Sequence, residues 1–127
     1  ELVDFIKKTE IDRVGCFTYS PEEGTPAFSL GDPVPPSVKK KRYNRLMKIQ
    51  QRISMARLQK MAGTRVRVLV EEKLDELHWI GRTEFDAPEV DGIFYLTGRN
   101  LMTNRIYWAR VTDSVEYDLI GEAIETK

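Results

Sequence analysis

Gly63-Thr64-Arg65-Val66-Arg67-Val68-Leu69-Val70 is the stretch on which the fold turns. Val66, Val68 and Val70 alternate with Arg65, Arg67 and Leu69, the period of two expected of a half-buried strand. Upstream of Gly63 the period is different. From Val38 to about Met61 there is no Gly or Pro, and Leu46, Ile49, Ile53 and Ala56 recur at 3-4-3 spacing, flanked by Tyr43, Met47 and Met61. That pattern predicts one amphipathic helix of about six turns. Gly31, Asp32, Pro33, Pro35 and Pro36 exclude a helix interior before it, and Ser37 is the expected N-cap. Gly63 is its expected stop, with Lys60 in the last turn where a cation suits the helix dipole.

Downstream of Gly63, strand-like stretches recur at about 64–73, 77–85, 92–97, 105–112 and 117–124. Asp75-Glu76, Asp86-Ala87-Pro88, Gly98-Arg99-Asn100 and Asp113-Ser114 are the expected turns between them. Five short strands in so short a span predict a small antiparallel barrel, because closure removes exposed edges. Ile80, Ile93, Tyr95, Tyr107, Val111, Leu119 and Ile124 are its expected filling, with Trp79 and Trp108 nearby. The fold class is therefore α+β and mainly β.

The chain has 127 residues, 41% hydrophobic and 31% charged, with a formal net charge of zero. These values suit a globular domain and exclude wholesale disorder. The zero is a sum of opposites. Residues 1–62 carry 12 basic and 7 acidic side chains, and residues 63–127 carry 8 and 13. Between Val38 and Lys60 lie Lys39, Lys40, Lys41, Arg42, Arg45, Lys48, Arg52, Arg57 and Lys60, with no acidic residue among them. A basic segment thus precedes an acidic one.

One cysteine, Cys16, excludes an internal disulfide, a CxxC site and a cysteine-ligated cluster held by this chain alone. It reads as a small buried hydrophobe. One histidine, His78, disfavours a Ser/His/Asp hydrolase and reads as an exposed or hydrogen-bonded side chain rather than a metal ligand. No apolar run reaches the length of a membrane span. Leu2, Phe5 and Ile6 have helical spacing, and Ile11 to Tyr19 reads as a strand with Val14, Cys16 and Thr18 on one face. A helix and one strand cannot bury themselves, so the expectation is a piece of a larger protein whose beginning is missing. Ser20-Pro21-Glu22-Glu23-Gly24-Thr25-Pro26 is a loop by its Pro and Gly content.

Two stretches carry a specific resemblance. One is Asp12-Arg13-Val14-Gly15-Cys16-Phe17-Thr18-Tyr19-Ser20-Pro21-Glu22-Glu23-Gly24-Thr25. The other is Gly81-Arg82-Thr83 with Asp86-Ala87-Pro88-Glu89-Val90-Asp91-Gly92, followed by Glu116-Tyr117-Asp118-Leu119-Ile120-Gly121. Between them lie Pro35-Pro36-Ser37-Val38-Lys39 and the Arg45-Leu46-Met47, Gln50-Gln51 and Ile53-Ser54 positions of the helix. In this order they resemble the C-terminal part of a radical-SAM methylthiotransferase of the RimO type, a family that modifies an aspartate of small-subunit ribosomal protein S-twelve.

The resemblance implies a layout. Residues 1–36 would be the end of a radical-SAM α/β barrel, 37–62 a basic connecting helix, and 63–127 a TRAM domain, a five-stranded OB-like barrel. It implies a cytoplasmic parent enzyme that uses S-adenosylmethionine and iron–sulfur clusters bound upstream. This chain would hold no catalytic residue, metal or cofactor of its own. Ser20, Glu22, Glu23 and Thr25 would form a loop near the S-adenosylmethionine site of the parent, at the carboxyl end of a barrel strand; the alternative is a solvated turn.

The acidic character of the last segment bears on the partner. Phosphate contacts come from Lys and Arg, whereas an acidic barrel suits a basic ribosomal protein. Glu84, Asp86, Glu89, Asp91, Glu116 and Asp118 are the expected substrate-docking residues. Two alternatives stay open: a TRAM domain that binds transfer RNA through its arginines and Tyr95, Tyr107 and Trp108, and a purely structural cap on the catalytic domain. The basic helix would meet ribosomal RNA, or its Lys and Arg stems would simply cover apolar surface. No membrane partner is expected.

Overall fold

A computed structural model describes residues 1–88 and 91–124. The chain forms two compact units, Glu1–Ile53 and Ser54–Lys127.

In the first unit, α1 spans Leu2–Thr9 and buries Ile6 while Leu2 and Phe5 stay exposed. The backbone from Ile11 to Tyr19 is in neither helix nor strand, which corrects the expected strand. A strand exists only through ladder hydrogen bonds, and among the described residues the ladders lie between residues 65 and 123. A short 3-10 helix, Pro26–Leu30, follows the Gly24 turn.

Helix α2 spans Pro36–Gln59. It starts at Pro36, whose fixed φ and missing N–H suit the first helical position. The Pro35 carbonyl accepts from Val38 and Lys39 N–H at 3.0 and 3.1 Å. Ser37 is therefore inside the first turn and is not the N-cap. The buried face is Leu46, Gln50, Ser54 and Leu58, a row with a spacing of four. Ala56, expected on the apolar stripe, is exposed, and two polar residues take the buried row instead. Gly63, at φ 84°, ends the helical turn as expected, and its N–H bonds the Val111 carbonyl at 2.7 Å.

The second unit is a closed barrel of β1 (Arg65–Lys73), β2 (His78–Thr83), β3 (Phe94–Thr97), β4 (Arg105–Val115) and β5 (Asp118–Ala123), in the order β1-β2-β3-β5-β4. Four pairings are antiparallel, and β3 runs parallel to β5, with Tyr95 opposite Ile120. The expected OB-like barrel of five strands is thus present, mixed rather than wholly antiparallel, because β3 and β5 close it in a parallel seam. Val66, Val68, Val70, Trp79, Phe94, Leu96, Ala109, Val111 and Leu119 fill it, with Leu58 of α2 joining the cluster.

Of the expected filling, Trp79, Val111 and Leu119 are buried and Tyr107 packs against the core. Ile93 and Tyr95 face outward, as does Trp108, and Ile80 and Ile124 are only half-buried. Phe94 and Leu96 take the inward places on β3. Both faces of that strand are apolar, so alternation marks the strand without fixing its phase. The Asp113-Ser114 turn is also corrected. β4 shifts register between Val111 and Asp113 and runs on to Val115. The chain reverses at Glu116-Tyr117, with Glu116 at φ 49°.

Candidate functional site: an acidic edge of the barrel

The loop after β2 begins with a small polar knot. Thr83 is buried, and its hydroxyl donates to Asp86 Oδ2 at 2.6 Å and accepts from Phe85 N–H at 3.2 Å. Asp91 closes the same loop from its far side, its Oδ2 accepting from Ala87 N–H at 2.7 Å. An aspartate that binds backbone two to four residues away is the ordinary way to hold such a turn.

Asp118 then ties this loop to the β4–β5 turn. Its Oδ1 accepts from Ile93 N–H at 2.8 Å, and Leu119 N–H bonds the Ile93 carbonyl at 3.0 Å. The approach is so close at Gly92 that a Cβ there would lie 1.8 Å from the Tyr117 carbonyl oxygen. Only glycine fits. Two acidic stretches 25 residues apart in sequence are therefore one edge of the barrel.

Glu84 sits at the β2 end of this edge and forms a two-pronged ion pair with Arg67 of β1, one prong being Arg67 Nε to Glu84 Oε1 at 3.4 Å. The hydrogen bond and the adjacent guanidinium hold the Glu84 carboxyl below its ordinary range and raise Arg67. Behind the pair, Arg67, Leu69, Arg82, Thr83, Glu84, Asp86 and Ile106 surround a shallow depression of about 350 Å³. Glu116 is exposed at the tip of the neighbouring turn.

The six expected docking acids thus divide. Asp86, Asp91 and Asp118 spend hydrogen-bond capacity on holding the edge together, and Glu84 is paired. Glu116 stands exposed, and Glu89 lies outside the described residues. What the sequence reading missed is this internal work. The signal was present in Thr83 three residues before Asp86, a spacing that allows a side chain to close a turn.

The second expected group is elsewhere. Ser20, Glu22, Glu23 and Thr25 are exposed around a tight turn at Gly24, where Thr25 Oγ1 donates to the Glu22 carbonyl at 2.7 Å. Lys39 of α2 holds the base of this loop, donating to the Tyr19 carbonyl at 2.8 Å and pairing with Asp32. Cys16 is half-buried rather than buried. Its Sγ lies 3.9 Å from the Phe17 carbonyl oxygen, next to the fully exposed Phe17 ring.

His78 is hydrogen-bonded, its Nδ1 meeting Asp75 Oδ2 at 2.8 Å. Asp75 also accepts from Leu77 and His78 N–H, and these bonds, led by Leu77, lower its carboxyl from 3.8 to about 2. Among the described residues, no three His, Cys, Asp or Glu side chains are grouped to hold a metal ion, and no helix is long and apolar enough to cross a membrane.

Residues 62–124, from the helix end through β5, match the TRAM domain family. The barrel is a TRAM domain. Along nearly its whole length the chain is also similar to curated proteins named ribosomal protein uS12 methylthiotransferase RimO. Those of Salmonella arizonae, Salmonella paratyphi B and Salmonella schwarzengrund are each 48% identical over 124 residues, which is 97% of this chain and 28% of theirs. The resemblance stated from the motifs is thereby supported, on both sides of the TRAM domain boundary. The chain spans little more than a quarter of the length of these relatives.

Proposed function

We propose that this chain is the substrate-recognition region of a radical-SAM methylthiotransferase acting on an aspartate of ribosomal protein uS12, with the acidic edge of the TRAM domain docking that basic protein. The observation that carries this reading is the 48% identity to RimO along 97% of the chain. The fused acidic edge supports it, because carboxylates gathered on one rim steer a cationic partner and disfavour RNA. The chemistry would belong to the parent enzyme, in the cytoplasm. S-adenosylmethionine and iron–sulfur clusters bound elsewhere in the parent would supply that chemistry. One thiol alone does not make a site for such a cluster. Ser20, Glu22, Glu23 and Thr25 would border the S-adenosylmethionine site of the parent, and α2 would meet ribosomal RNA.

A second reading, transfer-RNA binding by the barrel, is favoured by Arg65 lying 5.4 Å over the Trp108 ring on an exposed face. It is weakened by Arg67 and Arg82, which are already paired with Glu84 and Glu71.

Fluorescence anisotropy with purified uS12 and with a transfer-RNA pool separates the two. The expected result is saturable uS12 binding that falls about tenfold in the Glu84→Gln/Glu116→Gln variant, as rim charges act on encounter. Tight transfer-RNA binding without uS12 binding would overturn the proposal.

A further inference from the structure

Lys41, Arg45, Lys48 and Arg52 of α2 stand at i, i+4, i+7 and i+11. At 3.6 residues per turn they fall within an arc of about 60° and form a straight line about 16 Å long. All four are exposed. The line lies on the side of α2 away from its buried row of Leu46, Gln50, Ser54 and Leu58. Lys40, Asn44 and Ser37 flank it and, with Lys41, Arg45 and Lys48, border a shallow depression of about 560 Å³.

The helix carries no carboxylate between Val38 and Lys60. Among the described residues none of the four cations has an ion-pair partner. Like charges at these spacings repel and weaken a helix. The contrast is Lys39, which pairs with Asp32 and lies off the ridge. A half-buried cation on this helix thus finds an internal partner, and the exposed ridge cations have none among the described residues.

We infer that this ridge binds the phosphate backbone of double-helical RNA, largely without regard to sequence. The inference rests on the reading that α2 meets RNA, and it names the residues and the kind of RNA. A line of charges on a rigid rod matches a phosphate strand, and such contacts position without specifying sequence. The ridge contains no aromatic side chain, so it offers no stacking platform of the sort that single strands require. It also lacks the buried aromatic or apolar anchor that dominates protein interfaces. A membrane surface fits poorly, since the opposite face of α2 is already buried and cannot insert among lipids.

The test is binding of the full chain to a fluorescein-labelled RNA duplex of mixed sequence, across a salt series. Four phosphate contacts predict a log–log salt slope of about −3.6. The Lys41→Gln/Arg45→Gln/Lys48→Gln/Arg52→Gln variant keeps good helix formers, and circular dichroism checks its helix content. Its affinity at low salt should fall about a hundredfold, with the slope shrinking by about 3 to 4. The Arg65→Gln/Arg105→Gln/Arg110→Gln variant of the barrel should change affinity by less than about threefold, as should Glu84→Gln/Glu116→Gln. If the duplex binds but the ridge variant is unaffected, RNA contact survives and the ridge assignment fails. If the duplex does not bind, or only vesicles of anionic phospholipid do, both fail.

Discussion

The two units of this chain are ordered in different ways. Residues 54–124 close a barrel over a continuous apolar core from Val66 to Leu119. Residues 1–53 bury Ile6, Leu46 and Gln50, and they leave Phe17 94% and Leu30 79% exposed. Their shape depends on polar ties: Lys39 to Asp32 and Tyr19, Gln50 Nε2 to the Asp12 carbonyl at 3.1 Å, and Tyr19 hydroxyl to Ala27 carbonyl at 3.3 Å. A hydrophobic core makes one region tolerant of surface change, while polar ties and exposed aromatics make the other sensitive to its surroundings.

A pair of aromatic truncations gives the largest expected contrast. Phe94→Ala, at a residue only 1% exposed in the barrel, should destabilise it by about 3–5 kcal/mol. Phe17→Ala should shift stability by less than about 0.5 kcal/mol. Urea unfolding of the full chain, followed by Trp79 and Trp108 fluorescence for the barrel and by helical circular dichroism for residues 1–53, reads both. Equal effects would erase the distinction between the units.

Next in size is Gly92→Ala, which sets a methyl against the Tyr117 carbonyl. It should cost about 1–3 kcal/mol as the backbones separate. Amide exchange at Ile93 and Leu119 should accelerate more than at Val68. Exchange that rises evenly over the barrel would mean the acidic edge is not a local unit.

The smallest effect concerns pH. Asp75 is depressed to about 2 by its bonds to Leu77 and His78. A depressed carboxylate contributes stability above its ordinary value of 3.8, and that contribution is lost as pH falls from there through 2. The Leu77 and His78 amide signals should titrate in that window in the native chain and stay flat in Asp75→Ala. Titration near pH 4 would show that the turn leaves Asp75 unperturbed.

Much of the barrel was legible in the sequence because β1 alternates Val with Arg and Leu, so burial and period agree at every position from 65 to 70. β3 carried less information. Ile93, Phe94, Tyr95 and Leu96 are all apolar, and only closure decides that Phe94 and Leu96 go in. The parallel β3–β5 seam joins strands distant in sequence, which no local pattern encodes. On α2, a spacing-of-four row that includes Gln50 and Ser54 was hidden because polar residues do not announce burial.

The candidate site was legible as a concentration of acids, but not as a structure. The bonds of Asp86 to Thr83, Asp91 to Ala87 and Asp118 to Ile93 turn a charge count into a built edge. Three of the acids shape the surface that the others present.

The most direct test of the acidic edge as a protein-docking surface is a titration of purified uS12 into the isotope-labelled chain, read by amide chemical shifts. Saturable changes clustered at Thr83–Ala87, Asp91–Ile93 and Glu116–Leu119, weakened by salt, are the expected result. Changes centred instead on Arg65, Ile106 and Trp108, or no saturable binding at all, would contradict it.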